Sequence, residues 1–267
     1  LLKSALAISE TCLGTKHHEL AIRCSNLGLL YQEVGRCTEA EGLFLRALAI
    51  TERAFGPQHP DLATHHNNLA ILYQQTGRYV AANRFFTRAL AVDKKFLGPD
   101  HPMVAIRLNN LALLHQQTGQ YAVAKPLFES AQVIIEKSLG PNHPAVATQL
   151  NNFALFHQQT GCYSAAKSLF QRAMIVGQRT LGSEHPRFAT WLNNLALLYQ
   201  EVGQYAEAEP LFKSALAIIE KSLESNHPVV ATQLNNLALL HQANAILLLG
   251  LAVYFIHRFR AVDETKA

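Results

Sequence analysis

The 267-residue sequence has little charge, few cysteines and no apolar run long enough to span a bilayer. Charged residues make up 16% of the chain, and its net charge of +4 is scattered without forming a basic stripe, so a nucleic-acid partner is not indicated. The cysteines, Cys12, Cys24, Cys37 and Cys162, show no CxxC spacing. We therefore expect reduced thiols in a cytoplasmic protein rather than a redox or metal site.

What the sequence has instead is one unit repeated at a fixed spacing. The phrase Gly-Pro-x-His-Pro, or a close variant of it, begins at Gly56, Gly98, Gly140 and Gly182, each 42 positions after the last. Because a repeat array is assembled by stacking copies, we expect one elongated array and not one globular core. The predicted divisions are a half-repeat at 1–13, full repeats at 14–55, 56–97, 98–139, 140–181 and 182–223, and a half-repeat at 224–243. Since the sequence opens halfway through a repeat, we expect it to be a fragment of something longer.

The apolar periodicity of each repeat predicts two helices, as the copy at residues 103–139 illustrates. Val104, Leu108 and Leu111 recur at helical spacing, and Gly119 supplies the residue that ends this first helix. A second helix follows, with one apolar side formed by Tyr121, Ala124, Phe128, Ala131 and Ile135. In the connecting phrase the Gly ends the second helix, and the last Pro begins the next first helix. The His before that Pro is predicted to cap the helix N-terminus.

These residues resemble a known family of helical repeats. Asn110-Leu111-Ala112, Gly119-x-Tyr121, Ala124, Phe128 and Ala131 are similar to the tetratricopeptide repeat pattern, whose usual period is 34 residues. The longer period of this chain and its LNNLALL, GxYxxAxxLF and LGPxHP phrases resemble the repeat of kinesin light chains. The resemblance covers about residues 1–243. It implies an all-α, right-handed superhelical solenoid of antiparallel helix pairs whose concave groove holds an extended cargo peptide.

The first helices carry three columns of residues on the side opposite their apolar stripe. At about 100° per residue, neutral amides lie on both sides of an aliphatic ridge on this face. A helix face that contacts only solvent can equally well carry Lys or Glu, so a face of neutral amides and aliphatic residues suggests a binding role. Amides can donate to and accept from a peptide backbone, so we predict a peptide-binding groove. Its predicted residues are Asn67, Asn109, Asn151, Asn193 and Asn235, the ridge residues Leu113, Leu155 and Leu197, and Gln74, Gln116, Gln158, Gln200 and Arg107.

A structural role is the alternative for the asparagines. Each predicted groove Asn is followed by a second one, as at Asn68, Asn110, Asn152, Asn194 and Asn236. Both members of such a pair could form hydrogen bonds between neighbouring helices and never meet a ligand. The two interpretations differ in whether the first Asn of each pair faces the open groove.

The histidines and the polar residues give no sign of a metal or catalytic site. His59, His101, His143, His185 and His227 occupy the same place in successive repeats. Stacked repeats separate equivalent atoms by roughly 10 Å, whereas zinc ligands lie about 2 Å from the metal. No Ser/His/Asp or paired-carboxylate arrangement breaks the repeat pattern. We therefore expect no metal, no cofactor and no enzymatic activity.

The segment at 244–267 departs from the repeat. The residues after His241-Gln242, Ala243-Asn244-Ala245, lack the expected Thr-Gly turn. The apolar run at 245–256 has twelve residues, whereas a bilayer span needs about 20. We expect a C-terminal helix that caps the last repeat, with a membrane-associated segment as the weaker alternative.

The sequence thus predicts a non-catalytic scaffold for a protein or peptide ligand, similar to a kinesin-light-chain cargo adaptor. The alternative is a sensor or regulatory arm of a larger signalling ATPase. Heptads upstream of Leu1 would favour the first, and a GxxxxGK[ST] loop the second.

Overall fold

The computed structural model describes residues 2–13, 17–222 and 228–264, and these residues form α-helices with no strand. The predicted all-α class is therefore confirmed for the described part of the chain. Its helices are α1 (Leu2–Leu13), α2 (Glu19–Glu33), α3 (Cys37–Phe55), α4 (Asp61–Gln75), α5 (Tyr79–Leu97), α6 (Pro102–Gln117), α7 (Tyr121–Leu139), α8 (Pro144–Gln159), α9 (Tyr163–Leu181), α10 (Pro186–Glu201), α11 (Tyr205–Ser222) and α12 (Pro228–Glu264).

The chain divides into two compact units. The first, residues 1–141, contains α1 and the helical hairpins α2–α3, α4–α5 and α6–α7. The second, residues 142–267, contains the hairpins α8–α9 and α10–α11, followed by α12. In each unit the two helices of a hairpin pack on one another, and the second helix also packs on the first helix of the next hairpin. The repeats predicted from the sequence spacing are thus helix pairs, as expected.

Glycine and histidine set the two kinds of helix junction. Gly119 has a φ of +73°, a left-handed conformation that closes α6 and turns the chain into α7. At the other junction, the Nδ1 atom of His101 accepts a hydrogen bond from the backbone N–H of Met103 at 3.2 Å, with Pro102 in the first turn. His143 and His185 accept equivalent bonds, each at 3.1 Å. The predicted capping role is confirmed at these three positions, whereas His227 lies outside the described residues.

The core of each hairpin is a phenylalanine packed against small residues. Phe44, Phe86, Phe128, Phe170 and Phe212 stand 42 positions apart, and each has an exposed fraction of 0%. The helices approach closely enough that a Cβ atom added at Gly28 would lie 2.7 Å from the Phe44 ring. Burial of one large ring per hairpin contributes about 1.5–3 kcal/mol to folding relative to an exposed side chain.

Successive hairpins are joined by side-chain pairs that differ from one interface to the next. The Thr51 hydroxyl of α3 is 2.9 Å from Nε2 of His65 in α4. At the equivalent positions of the next interface, Asp93 of α5 and Arg107 of α6 form an ion pair at 2.8 Å. In the second unit, Gly177 of α9 leaves room for the Trp191 ring of α10, which would lie 1.8 Å from an added Cβ. The backbone repeats, but these three interfaces have three different side-chain pairs.

The last helix runs through the predicted end of the final half-repeat. α12 is continuous from Pro228 to Glu264, so residue 243 does not end a helix. No glycine stands where the helix would close, because Asn244-Ala245 occupies the place that Thr118-Gly119 has three repeats earlier. The half-repeat and the apolar segment are therefore one helix, and the capping role of the segment stays a prediction. Across residues 2–13, 17–222 and 228–264, no helix is long and apolar enough to cross a membrane.

Replacing Gly177 by Ala should destabilise the second unit, because the added methyl group has no space beside Trp191. Overpacking of this kind costs about 1–3 kcal/mol. Gly42→Ala is the matched control, since nothing lies within 4 Å of its added Cβ and alanine favours the helix. Chemical denaturation should show a loss for the first variant and none for the second. Equal stability of the two variants would contradict this packing.

Candidate peptide-binding face

The exposed side of the first helices is the candidate site, and we call it the first-helix face. It is provided by α2, α4 and α6 in the first unit, and by α8, α10 and α12 in the second. An exposed column of β-branched residues runs along it: Ile22, Thr64, Ile106, Thr148, Thr190 and Thr232. Beside this column lies the aliphatic ridge, formed by Leu29, Ile71, Leu113, Leu155, Leu197 and Leu239.

The predicted groove asparagines are engaged between neighbouring first helices. In the first unit, Nδ2 of Asn110 donates to Oδ1 of Asn67 at 2.9 Å. In the second unit, Asn194 donates to Asn151 at 2.9 Å and Asn236 donates to Asn193 at 2.8 Å. The second Asn of one repeat thus binds the first Asn of the repeat before it. These are the bonds of the structural alternative.

The expectation that the first Asn of each pair faces an open groove is wrong for three of them. Asn67, Asn109 and Asn151 are buried, with exposed fractions of 6–8%. The physical reason is that these positions lie at the contact between first helices, where the short amides of Asn67 and Asn151 reach a partner amide. Asn193 is half-buried, and Asn235 in α12 is exposed. The main role of the asparagine column is therefore to bond neighbouring repeats to one another, and not to bind a ligand.

The aliphatic ridge is accessible, as the groove prediction requires. Leu113, Leu155 and Leu197 are half-buried, while Leu29 and Leu239 are 41% and 47% exposed. The adjoining column includes Ile106, at 39% exposed. A row of partly exposed aliphatic side chains at successive repeats offers apolar contacts to a bound chain.

The glutamine column lies beside the ridge and leaves acceptor atoms unused. Nε2 of Gln74 donates to Gln117 at 2.8 Å, and Nε2 of Gln158 donates to Glu201 at 2.7 Å, each in the next repeat. Gln116 and Gln200 are half-buried. The Oε1 atoms of Gln32, Gln158 and Gln200 are buried and have no hydrogen-bond partner among the described residues. A buried acceptor without a partner costs about 1–3 kcal/mol. Rotation of the half-buried Gln158 or Gln200 amide towards the ridge, where its oxygen could accept from a ligand N–H, would therefore be stabilising.

Arg107, predicted to be in the groove, is not accessible. Its side chain is 5% exposed and pairs with the Asp93 carboxylate, which is 6% exposed. The charge is therefore neutralised inside the interface between α5 and α6. This ion pair could not be predicted from the sequence, because the two residues are on different helices and their equivalents in other repeats are not a charged pair.

The first unit also has a pocket on this face, with a volume of about 280 Å³ between α2 and α4. Ile22, Leu29 and Thr64 line it together with His65, whose Nδ1 atom is 3.1 Å from the Ser25 hydroxyl. Burial lowers the pKa of His65, so the ring is neutral near pH 7. The His65 and Ser25 part of the pocket is consequently polar but uncharged near pH 7, and Asp61 adds a carboxyl group to the lining.

Sequence reasoning missed part of the exposed column, namely Thr64, Thr148 and Thr190. The signal was present, since each lies three positions before the first Asn of its repeat, close to one turn of helix away. No group of three or more His, Cys, Asp or Glu residues able to hold a metal ion occurs in the described part of the chain.

Comparisons with known proteins agree with this architecture. A family model described as Tetratricopeptide repeat matches residues 22–95, 84–132, 104–155, 146–209 and 187–245. The chain is similar to the crystal structure of BtubC (BKLC) from P. vanneervenii, with 23% identity, a TM-score of 0.67, and 85% of this chain and 89% of that chain covered. It is also similar to a putative kinesin light chain from Podosopora anserina with nearly identical TPR-like repeats, with 28% identity, a TM-score of 0.63, and coverage of 79% and 100%. No curated protein matches the sequence. These likenesses confirm the predicted repeat fold.

Asn67→Ala should destabilise the first unit, because the half-buried amide of Asn110 would lose its acceptor. The expected cost is about 1–3 kcal/mol in the free energy of unfolding. Asn110→Ala should cost a similar amount, and the double variant less than the sum, since both changes remove one bond. Asn235→Ala, at an exposed position, is the control and should change stability by no more than about 0.5 kcal/mol. Additive losses in the double variant would contradict the bond.

Proposed function

The chain belongs to the tetratricopeptide repeat family, and from this membership we propose that it is a non-catalytic scaffold that binds an extended peptide of a partner protein along the first-helix face. Repeats of this kind generally mediate contacts between proteins. The proposed role resembles that of a cargo adaptor of the kinesin-light-chain type. The observation that carries it is the row of buried glutamine oxygens without partners beside an exposed aliphatic ridge.

The chemistry of the face favours a peptide over other ligands. Its exposed column and ridge contain Ile, Leu and Thr, with no charged residue in either. A nucleic acid would need phosphate-binding cations there. An extended peptide has alternating apolar side chains, which suit the ridge, and backbone N–H groups, which suit amide acceptors.

The spacing of the acceptors also suits an extended backbone. Gln158 and Gln200 are equivalent residues of successive repeats in the second unit, and each has a buried Oε1 atom with no partner in the described part of the chain. Packed helices lie roughly 10 Å apart, which is about three residues of an extended strand. A peptide running from one repeat to the next could therefore place one N–H group at each of these oxygens.

The asparagines have a different role in this proposal. Asn151 and Asn193 already accept bonds from Asn194 and Asn236. They fix the distance between first helices and so fix the spacing of the glutamine oxygens. Changes at the asparagines should therefore affect stability first, and changes at the glutamines should affect binding first.

Selection from a random peptide library on the full chain would test the proposal. Selected peptides should bind the Gln158→Met and Gln200→Met double variant about 10- to 100-fold more weakly, at about 1 kcal/mol per hydrogen bond. The melting temperature should fall only slightly: methionine keeps the length of the side chain and removes the unpaired oxygen, and the bond that it loses, from Gln158 to Glu201, is solvent-exposed.

Gln171→Met is the matched control, because Gln171 is exposed on the second helix α9. It should bind the selected peptides as the wild type does. Peptides that bind the wild type and the double variant with equal affinity would refute the proposed site.

A further inference from the structure

A second pocket lies away from the first-helix face, in the first unit. It is between α3 and α5, with a volume of about 410 Å³. Leu48 and Glu52 of α3 line one side, and Arg88, Val92 and Lys95 of α5 line the other. None of these residues belongs to the columns of the proposed peptide site, so the pocket is a separate feature of the molecule.

His66 of α4 also lines this pocket and breaks the repeat pattern. The equivalent positions of the other repeats are occupied by Cys24, Leu108, Leu150, Leu192 and Leu234, all apolar. His66 is 8% exposed, and its Nδ1 atom is buried without a hydrogen-bond partner in the described part of the chain. Its neighbour His65 is different, since both of its ring nitrogens lie within hydrogen-bond distance of hydroxyl groups.

The unpaired His66 ring destabilises the folded protein when no ligand is bound. Burial, followed by the nearby charge of Arg88 and by His65, lowers the pKa of His66 to about 4, so the ring is neutral at pH 7. A neutral imidazole has one N–H donor and one acceptor, and a buried nitrogen without a hydrogen-bond partner destabilises the folded state. A leucine at this position would avoid that cost, which points to a ligand as the missing partner.

The charged groups of the pocket indicate the kind of ligand. Arg88 is exposed and has no ion-pair partner among residues 2–13, 17–222 and 228–264, and its guanidinium lies 5.8 Å from the centre of the Phe85 ring. Lys95, also exposed, donates to the side chain of Gln58. Glu52 is the one acidic residue of the lining. The two cations favour an anion, and the carboxylate of Glu52 disfavours a ligand with two negative charges.

We propose that this pocket binds a small amphipathic carboxylate, with its anionic group at Arg88 and Lys95 and its apolar body against Leu48, Val92 and Phe96. His66 completes the site by donating a hydrogen bond to the ligand from its buried ring. The pocket is a binding site independent of the peptide-binding face, and it is specific to this repeat because only this repeat has the histidine.

An NMR titration of the full chain with hexanoate tests the site. Hexanoate should shift the methyl resonances of Leu48 and Val92 in a saturable way, whereas hexan-1-ol and hexylammonium should bind at least about tenfold more weakly. His66→Leu restores the residue type of the other repeats and should leave the melting temperature unchanged or raised. The same variant should bind hexanoate about tenfold more weakly, a difference of about 1.4 kcal/mol.

Arg88→Ala should weaken hexanoate binding to a similar extent. Arg172→Ala, which changes the equivalent arginine two repeats later, is its matched control and should bind as the wild type does. The proposal is overturned if hexanoate leaves Leu48 and Val92 unshifted, or if His66→Leu or Arg88→Ala binds it as tightly as the wild type. Tighter binding of hexyl phosphate than of hexanoate would refute the carboxylate assignment.

Discussion

The contact between successive hairpins is the constraint on which the rest of each unit depends. A single helical hairpin cannot cover both of its apolar sides, so each repeat is stable only when its neighbours pack against it. Within each unit the chain uses different side-chain pairs for this packing, such as Asp93 with Arg107 in the first unit and Gly177 with Trp191 in the second. Because the pairs differ, one repeat cannot replace another at an interface without leaving a buried charge or a steric clash.

This constraint explains why residues on one helix have two separate roles. The asparagines lie where first helices meet, and their amide bonds link Asn67 to Asn110 and Asn151 to Asn194. The aliphatic ridge and the glutamine oxygens lie beside that contact and are not used up by it. We therefore assign peptide binding to the aliphatic ridge and the glutamine oxygens, which the contact between first helices does not use. The asparagines, which form that contact, set the spacing of the binding groups.

The repeat period, the helices and their junctions could be predicted from the sequence, because Gly119, Pro102 and His101 act locally on the backbone. The faces were harder to assign. An Asn next to an exposed ridge can point along the ridge or towards the neighbouring helix, and only the distance between helices decides which. Likewise, helical periodicity alone places Arg107 on the exposed side of its helix. Only the three-dimensional structure shows that Asp93 of the neighbouring helix lies opposite it and pairs with it. The continuity of α12 was harder to predict, because the repeat pattern ends near residue 243 whereas the helix, with no glycine at 245 to close it, continues to Glu264.

The most direct test of the account is where a bound peptide contacts the chain. Methyl-labelled full chain, titrated with a library-selected peptide, has accessible probes on both sides. Leu155, Leu197 and Leu239 are on the first-helix face beside Gln158 and Gln200, and Val80, Val133 and Ile175 are on second helices. Our account predicts that the peptide shifts the first three resonances and leaves the second three in place. Shifts centred on Val80, Val133 and Ile175, with the first-helix face unchanged, would contradict it.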